Sequence, residues 1–93
     1  MSSESAVHVL VGSQGEYSDR KVWVAAVFHD QAAARAEAER REALWREWYQ
    51  HYDEDDAYRY SDQAELDVQA IDPHLDECYS YQPTYTVEEV EVR

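Results

Sequence analysis

Ten carboxylates fall within 25 residues of this chain: Asp53, Glu54, Asp55, Asp56, Asp62, Glu65, Asp67, Asp72, Asp76 and Glu77. Carboxylates at this density can ligate a divalent cation or present a continuous anionic surface. The first use fails on spacing. A calcium loop of the EF-hand type needs glycine at its sixth position and glutamate at its twelfth; counted from Asp53, those positions hold Tyr58 and Ala64. The histidines His8, His29, His51 and His74 have no zinc-ligand spacing, and the pair His74–Cys78 supplies only half of a closed four-ligand site. Nucleophilic catalysis finds equally little. Cys78 lies between Glu77 and Tyr79, where negative charge suppresses the thiolate. Gly12 and Gly15 are the only glycines, and no Lys-Ser/Thr follows them to build a phosphate loop. The expectation is a protein that is not an enzyme and holds no cofactor or metal.

The anionic surface remains. The chain of 93 residues carries 21 acids against 8 bases, a net charge of −13. Residues 1–47 hold 8 acids and 6 bases, and residues 48–93 hold 13 acids and 2 bases, Arg59 and Arg93. Direct nucleic-acid binding is disfavoured, because it is driven by cations that displace counterions from phosphates. Anionic membrane surfaces are disfavoured for the same reason. The natural partner is a basic protein. Along one duplex strand charges recur every ~3.4 Å, a spacing that carboxylates on strands and loops can match. Solubility alone is the simpler use of an acidic face, but the asymmetry between the halves exceeds what solubility requires.

The elements that must carry these groups follow from periodicity. Ninety-three residues make a single domain, 1–93, with one modest core. Val7 to Val11 alternates as a strand, Gly12-Ser13-Gln14-Gly15 supplies turn chemistry, and Lys21 to Phe28 reads as a strand covered on both sides or central in its sheet. Asp30 suits an N-cap. From there to about Tyr52 neither glycine nor proline interrupts a helix with Ala33, Ala34, Ala38, Leu44, Trp45, Trp48 and Tyr52 on one broad face. Arg35, Glu39, Glu42, Arg46 and Glu47 fall opposite, with Glu37→Arg41 and Glu42→Arg46 as i,i+4 pairs. About 22 residues at ~1.5 Å give roughly 33 Å, so the last turns should overhang a small sheet. Four acids at the helix C-terminus oppose the macrodipole and should end it. Leu66, Val68 and Ala70 alternate, favouring a strand, although Asp62 with Glu65 resembles a capping box. Tyr85 to Val92 is the last strand; its apolar parity switches across Glu88-Glu89, which suggests a β-bulge or a change of buried face. The fold class is α+β: an antiparallel sheet of three to four strands with one long helix packed on one face.

Of the eight tyrosines, Tyr49, Tyr52, Tyr58, Tyr60, Tyr79, Tyr81 and Tyr85 lie in or beside the acidic half. Tyrosine is enriched at interfaces because its ring buries area while its hydroxyl keeps a partner. Trp45 and Trp48 read as core.

In size, charge and lack of a catalytic motif the chain resembles small acidic phage-encoded anti-CRISPR proteins of the type I class, some of which are DNA mimics. Val7 to Ala38 is also similar to small phage and bacterial domains that open strand–strand–helix. The first resemblance implies a cytoplasmic protein of a bacterial host that inhibits by stoichiometric binding, occupying a basic DNA- or RNA-binding site of a defence complex such as a CRISPR surveillance complex. The partner-binding residues are then the ten carboxylates with Tyr52, Tyr58 and Tyr60. The alternative is a small interaction or assembly module, monomer or homodimer, using the aromatic end of the helix.

Overall fold

The computed structural model describes residues 6–15, 20–75 and 82–91. Strands β1 (Ala6–Gln14), β2 (Lys21–Phe28) and β3 (Thr84–Glu91) form an antiparallel sheet in the order β2-β1-β3. Between β2 and β3 the chain makes a long helix α1 (Gln31–Glu54), a single turn α2 (Asp56–Arg59) and a helix α3 (Asp62–Ile71). The helices lie on one face of the sheet. This is the α+β arrangement of three strands and one long helix that periodicity implied.

Alternation explains β1. Ala6, His8, Leu10, Gly12 and Gln14 are buried toward the helices, while Val7, Val9 and Val11 lie on the opposite face. The strand runs through Gly12 instead of turning there; the turn residue is Gly15, at φ 97°. Gly12 is needed for a different reason. It pairs with Trp23 on one side and Tyr85 on the other. A Cβ at Gly12 would sit 2.5 Å from the Trp23 ring. Without it, the indole lies across β1 and meets Tyr85 edge-on, centroids 6.2 Å apart at 88°.

Two expectations need correction, and the structure decides between the two readings of β3. β2 is an edge strand, not a central one, and Val22, Val24 and Val27 are exposed at 61, 60 and 57%. Its near-continuous apolar run belongs to a strand with only one face covered. The bulge lies in β2, where the register shifts opposite Leu10 and Val11, and β3 pairs with β1 without a break. The parity switch in β3 is therefore a change of apolar face: Tyr85 and Val87 point to the helices, and Val90 points away. Finally, Asp62–Ile71 is a helix and not a strand. Ala64, Val68 and Ile71 at i, i+4 and i+7 supply its inward stripe, and Leu66, which suggested alternation, is exposed.

α1 is capped as its sequence implied, the Asp30 carboxylate accepting from the Ala32 amide at 3.0 Å. Its buried residues are Ala34, Ala38, Trp45 and Trp48. Ala33 is exposed, and Leu44 and Tyr52 are half-buried. Small alanines let the first half approach the sheet. In the second half Trp45 stacks on Tyr49 at 4.9 Å and Trp48 on Tyr52 at 4.8 Å. α3 folds back onto this overhang, and the Trp48 indole donates to the Ala64 carbonyl at 3.0 Å. Glu42, expected to pair with Arg46, instead accepts from the Tyr85 backbone amide of β3 at 2.9 Å.

Because the Trp23 ring occupies the space above Gly12, Gly12→Ala should destabilise the fold by about 2 kcal/mol through overpacking. In a domain of this size that corresponds to a fall in melting temperature of roughly 10 °C. A thermal melt followed by far-UV circular dichroism checks this; a melting point unchanged from the parent would contradict the close packing.

Candidate functional site

The acidic residues separate into two groups. One carboxylate is buried. Asp72, the residue after α3, is 1% exposed, and its position is set by α3 ending against the sheet. Its Oδ2 accepts from the Trp23 indole at 2.8 Å, the Tyr85 hydroxyl at 2.9 Å and the Arg41 guanidinium at 3.1 Å. Its Oδ1 accepts from the His74 backbone amide at 3.0 Å and lies 3.1 Å from His74 Nδ1. The His74 ring stacks on Trp23 with centroids 5.4 Å apart. Asp72 therefore cannot belong to an exposed anionic surface and is removed from that set.

Burial alone would raise the Asp72 pKa, but the donors from His74, Trp23 and Tyr85 overcome it and hold the carboxyl below its ordinary value of 3.8. Tyr85 shifts the other way, its hydroxyl pushed up by burial and by the adjacent carboxylate. Arg41 completes the cluster. It occupies the inward stripe between Ala38 and Trp45, and it also pairs with Glu37 at 2.7 Å. Glu37, bound to Arg40 at 2.6 Å as well, has its pKa lowered to about 2, first by the Arg40 hydrogen bond and further by Arg41. An imidazole oriented by a carboxylate can act as a base where a nucleophile stands within reach. Here the carboxylate is shared with three other donors, and among the described residues no hydroxyl or thiol is hydrogen-bonded to His74.

The second group is exposed and belongs to the helical layer. Asp53 and Glu54 lie in the last turn of α1, and Asp55 is its C-cap. Asp55 also starts α2, its side chain accepting from the Ala57 and Tyr58 amides at 3.1 and 3.2 Å. Asp56 is in α2; Asp62 and Glu65 are in the first turn of α3, where the macrodipole favours acids. All six are exposed. The one Lys or Arg between residues 48 and 91, Arg59, reaches Asp53 at 3.4 Å and Asp56 at 3.9 Å and donates to the Asp53 carbonyl at 2.7 Å. Asp67 is half-buried, accepting from the Tyr58 hydroxyl at 2.7 Å and Gln63 at 2.6 Å. Those two hydrogen bonds lower its pKa. Asp76 and Glu77 lie outside the described residues.

The tyrosines divide similarly. Tyr52 is half-buried between Trp48 and Arg59, whose guanidinium lies 5.5 Å from its ring. Tyr58 is half-buried against His51 at 4.3 Å, and Tyr60 is 83% exposed. A groove of about 470 Å³ runs beside the acids, walled by Trp45 and Tyr49 and rimmed by Asp53, Glu54 and Arg46. An aromatic wall under a carboxylate rim fits the stem and head of a lysine or arginine side chain. Among the described residues no group of three His, Cys, Asp or Glu side chains is placed to hold a metal ion, and no helix is long and apolar enough to cross a membrane.

The chain matches no protein-family model, no curated protein and no solved structure. Its site has to be read from its own geometry.

Sequence reasoning missed the buried cluster, and two of its residues show why. Arg41 was assigned to a surface ion pair, yet the spacing 34, 38, 41, 45, 48 places it in the buried stripe. Asp72 was grouped with its acidic neighbours, although Pro73 after it and Val68 and Ile71 before it mark the end of a packed element.

Both lowered carboxylates stay ionised in the folded chain at pH values where the unfolded chain takes up protons. Their stabilisation is therefore complete above about pH 5 and drains as pH falls below their ordinary values of 4.5 and 3.8, for Glu37 down to about 2. Asp72→Asn should cost about 3 kcal/mol at neutral pH, because Arg41 is left with Glu37 alone and the buried Trp23 and Tyr85 donors lose their ionised acceptor. We expect a melting temperature lower by roughly 10–20 °C and a shallower decline between pH 5 and 3 than in the parent. Thermal melts of both proteins across that range measure it; a variant as stable as the parent would deny Asp72 its role.

Proposed function

We propose that the protein acts by stoichiometric binding, its acidic helical layer occupying a basic nucleic-acid-binding surface on another protein. The observation that carries this reading is the concentration of six exposed carboxylates at the junction of α1, α2 and α3, with Arg59 as the only local Lys or Arg. The α1 and α3 helices that carry most of these acids are joined by the Trp48 indole hydrogen bond to the Ala64 carbonyl. An anionic array of this kind suits a groove built for phosphates, where complementary charge accelerates encounter and selects the partner. Tyr60, 83% exposed, adds contact area beside the charge. A nucleic-acid-holding complex of bacterial defence, such as a CRISPR surveillance complex, is a target of the required kind.

Binding through the aromatic end of α1 has less surface to use. Trp45 and Trp48 are 3% and 7% exposed, their rings committed to the core.

The test leaves Asp55 in place, since it caps α2. Asp53→Asn, Glu54→Gln and Asp56→Asn combined should fold as the parent does, with far-UV circular dichroism unchanged. Exposed charge pairs are worth ~0.3–1 kcal/mol each, so losing three should weaken capture of basic proteins from a bacterial lysate about tenfold and flatten its salt dependence. The captured protein should release labelled duplex DNA when the parent is added. Capture equal to the parent at both low and high salt would exclude this surface.

A further inference from the structure

The sheet face turned away from the helices carries Val7, Val9 and Val11 of β1, Val22, Val24 and Val27 of β2, and Val90 of β3. The bulge in β2 matters here: by absorbing one residue opposite Leu10 and Val11 it keeps Val27 on the same face as Val24. Val9 pairs with Val27, Val11 with Val24 and Val7 with Val90, so the valines form a contiguous patch across β1 and β2 that ends on β3. Val22, Val24, Val27 and Val90 are 61, 60, 57 and 46% exposed.

We infer that this valine face is the interface of a homodimer, two copies packing sheet on sheet about a two-fold axis. Charge selects the occupant. Glu88 is the only ionisable side chain of β1, β2 or β3 on this face, whereas the acids that would draw a basic partner lie in the helical layer on the other side. A second copy presents the same uncharged valines. Stacked sheets lie ~10 Å apart, and each helical layer adds about as much again, which separates the two acidic layers by roughly 30 Å. That is several Debye lengths at physiological salt, so the repulsion between the two acidic helical layers is screened.

Area agrees. Three strands ~4.8 Å apart and about eight residues long give a footprint of roughly 370 Å². With side-chain relief, two faces bury about 1,000 Å² in total, the threshold of specific association. The dimer is therefore weak, with half-association in the micromolar range. Valine on a flat sheet suits such packing, because its fixed rotamer loses little entropy on burial.

The test is sedimentation equilibrium of the full chain from about 5 to about 500 µM, at low and high salt. The weight-average mass should climb from 10.9 kDa toward twice that value with concentration, and high salt should leave the association unchanged or strengthen it. Val24→Lys should remain at the monomer mass across the range, a weakening of at least tenfold. Val22→Lys, at the strand end, is the second variant, and far-UV circular dichroism establishes that each is folded. A parent that stays monomeric to the highest concentration overturns the proposal. So does a dimer that survives both folded variants, since the copies then meet elsewhere, and so does one that dissociates in high salt.

Discussion

A carboxylate taken out of water has to be repaid by donors, and Asp72 collects them from three separate parts of the fold. Trp23 comes from the edge strand β2, Tyr85 from the opposite edge strand β3, and Arg41 from the middle of α1. The geometry of all three depends on that convergence. Trp23 can lie over the central strand only because Gly12 has no side chain, and its indole is then fixed by the hydrogen bond to Asp72. Arg41 can occupy an inward helical position because its charge is matched there. α3 must end where it does to place Asp72 beneath α1. Buried ion pairs are weak sources of net stability, and replacement by well-packed apolar residues is often neutral. What this cluster supplies is position: it fixes how the helical layer sits on the sheet.

That arrangement divides the chain's charge. Among the described residues, one face of the molecule is a helical layer carrying the exposed acids, and the other is a sheet face of exposed valines. The two surfaces suit opposite kinds of contact. The acidic one acts over distance and responds to salt; the apolar one acts at contact and does not. A sheet-on-sheet dimer would present its two acidic layers outward on opposite sides, so assembly and partner binding need not compete.

Much of the fold was legible where one periodicity dominated. β1, the Asp30 cap and the stripe of α1 follow from alternation or from i,i+4 spacing that no neighbour contradicts. The errors arose where two periodicities overlapped. Leu66, Val68 and Ala70 alternate, but Ala64, Val68 and Ile71 are the residues that pack, and local spacing cannot rank them without knowing that Trp48 waits opposite Ala64. β2 read as buried on both faces because valine's preference for strands resembles the signature of a covered strand. Of the acidic site, the run Asp53–Asp56 was placed correctly at a helix end. The burial of Asp72 was hidden because a carboxylate is recognisable as buried only once its donors are known, and these lie 49, 31 and 13 residues away in the chain.

The most direct measurement of Asp72 as the point of convergence is hydrogen exchange of the three tryptophan indoles, followed by NMR. The Trp23 Nε1–H is donated to a buried carboxylate, the Trp48 Nε1–H to a backbone carbonyl, and the Trp45 Nε1–H is buried with no hydrogen-bond partner among the described residues. The Trp23 proton should exchange only as fast as the whole domain unfolds, and its resonance should hold steady on acidification until the fold is lost. A Trp23 indole that exchanges like free tryptophan, or that titrates near pH 4 while the rest of the spectrum stays native, would contradict the account.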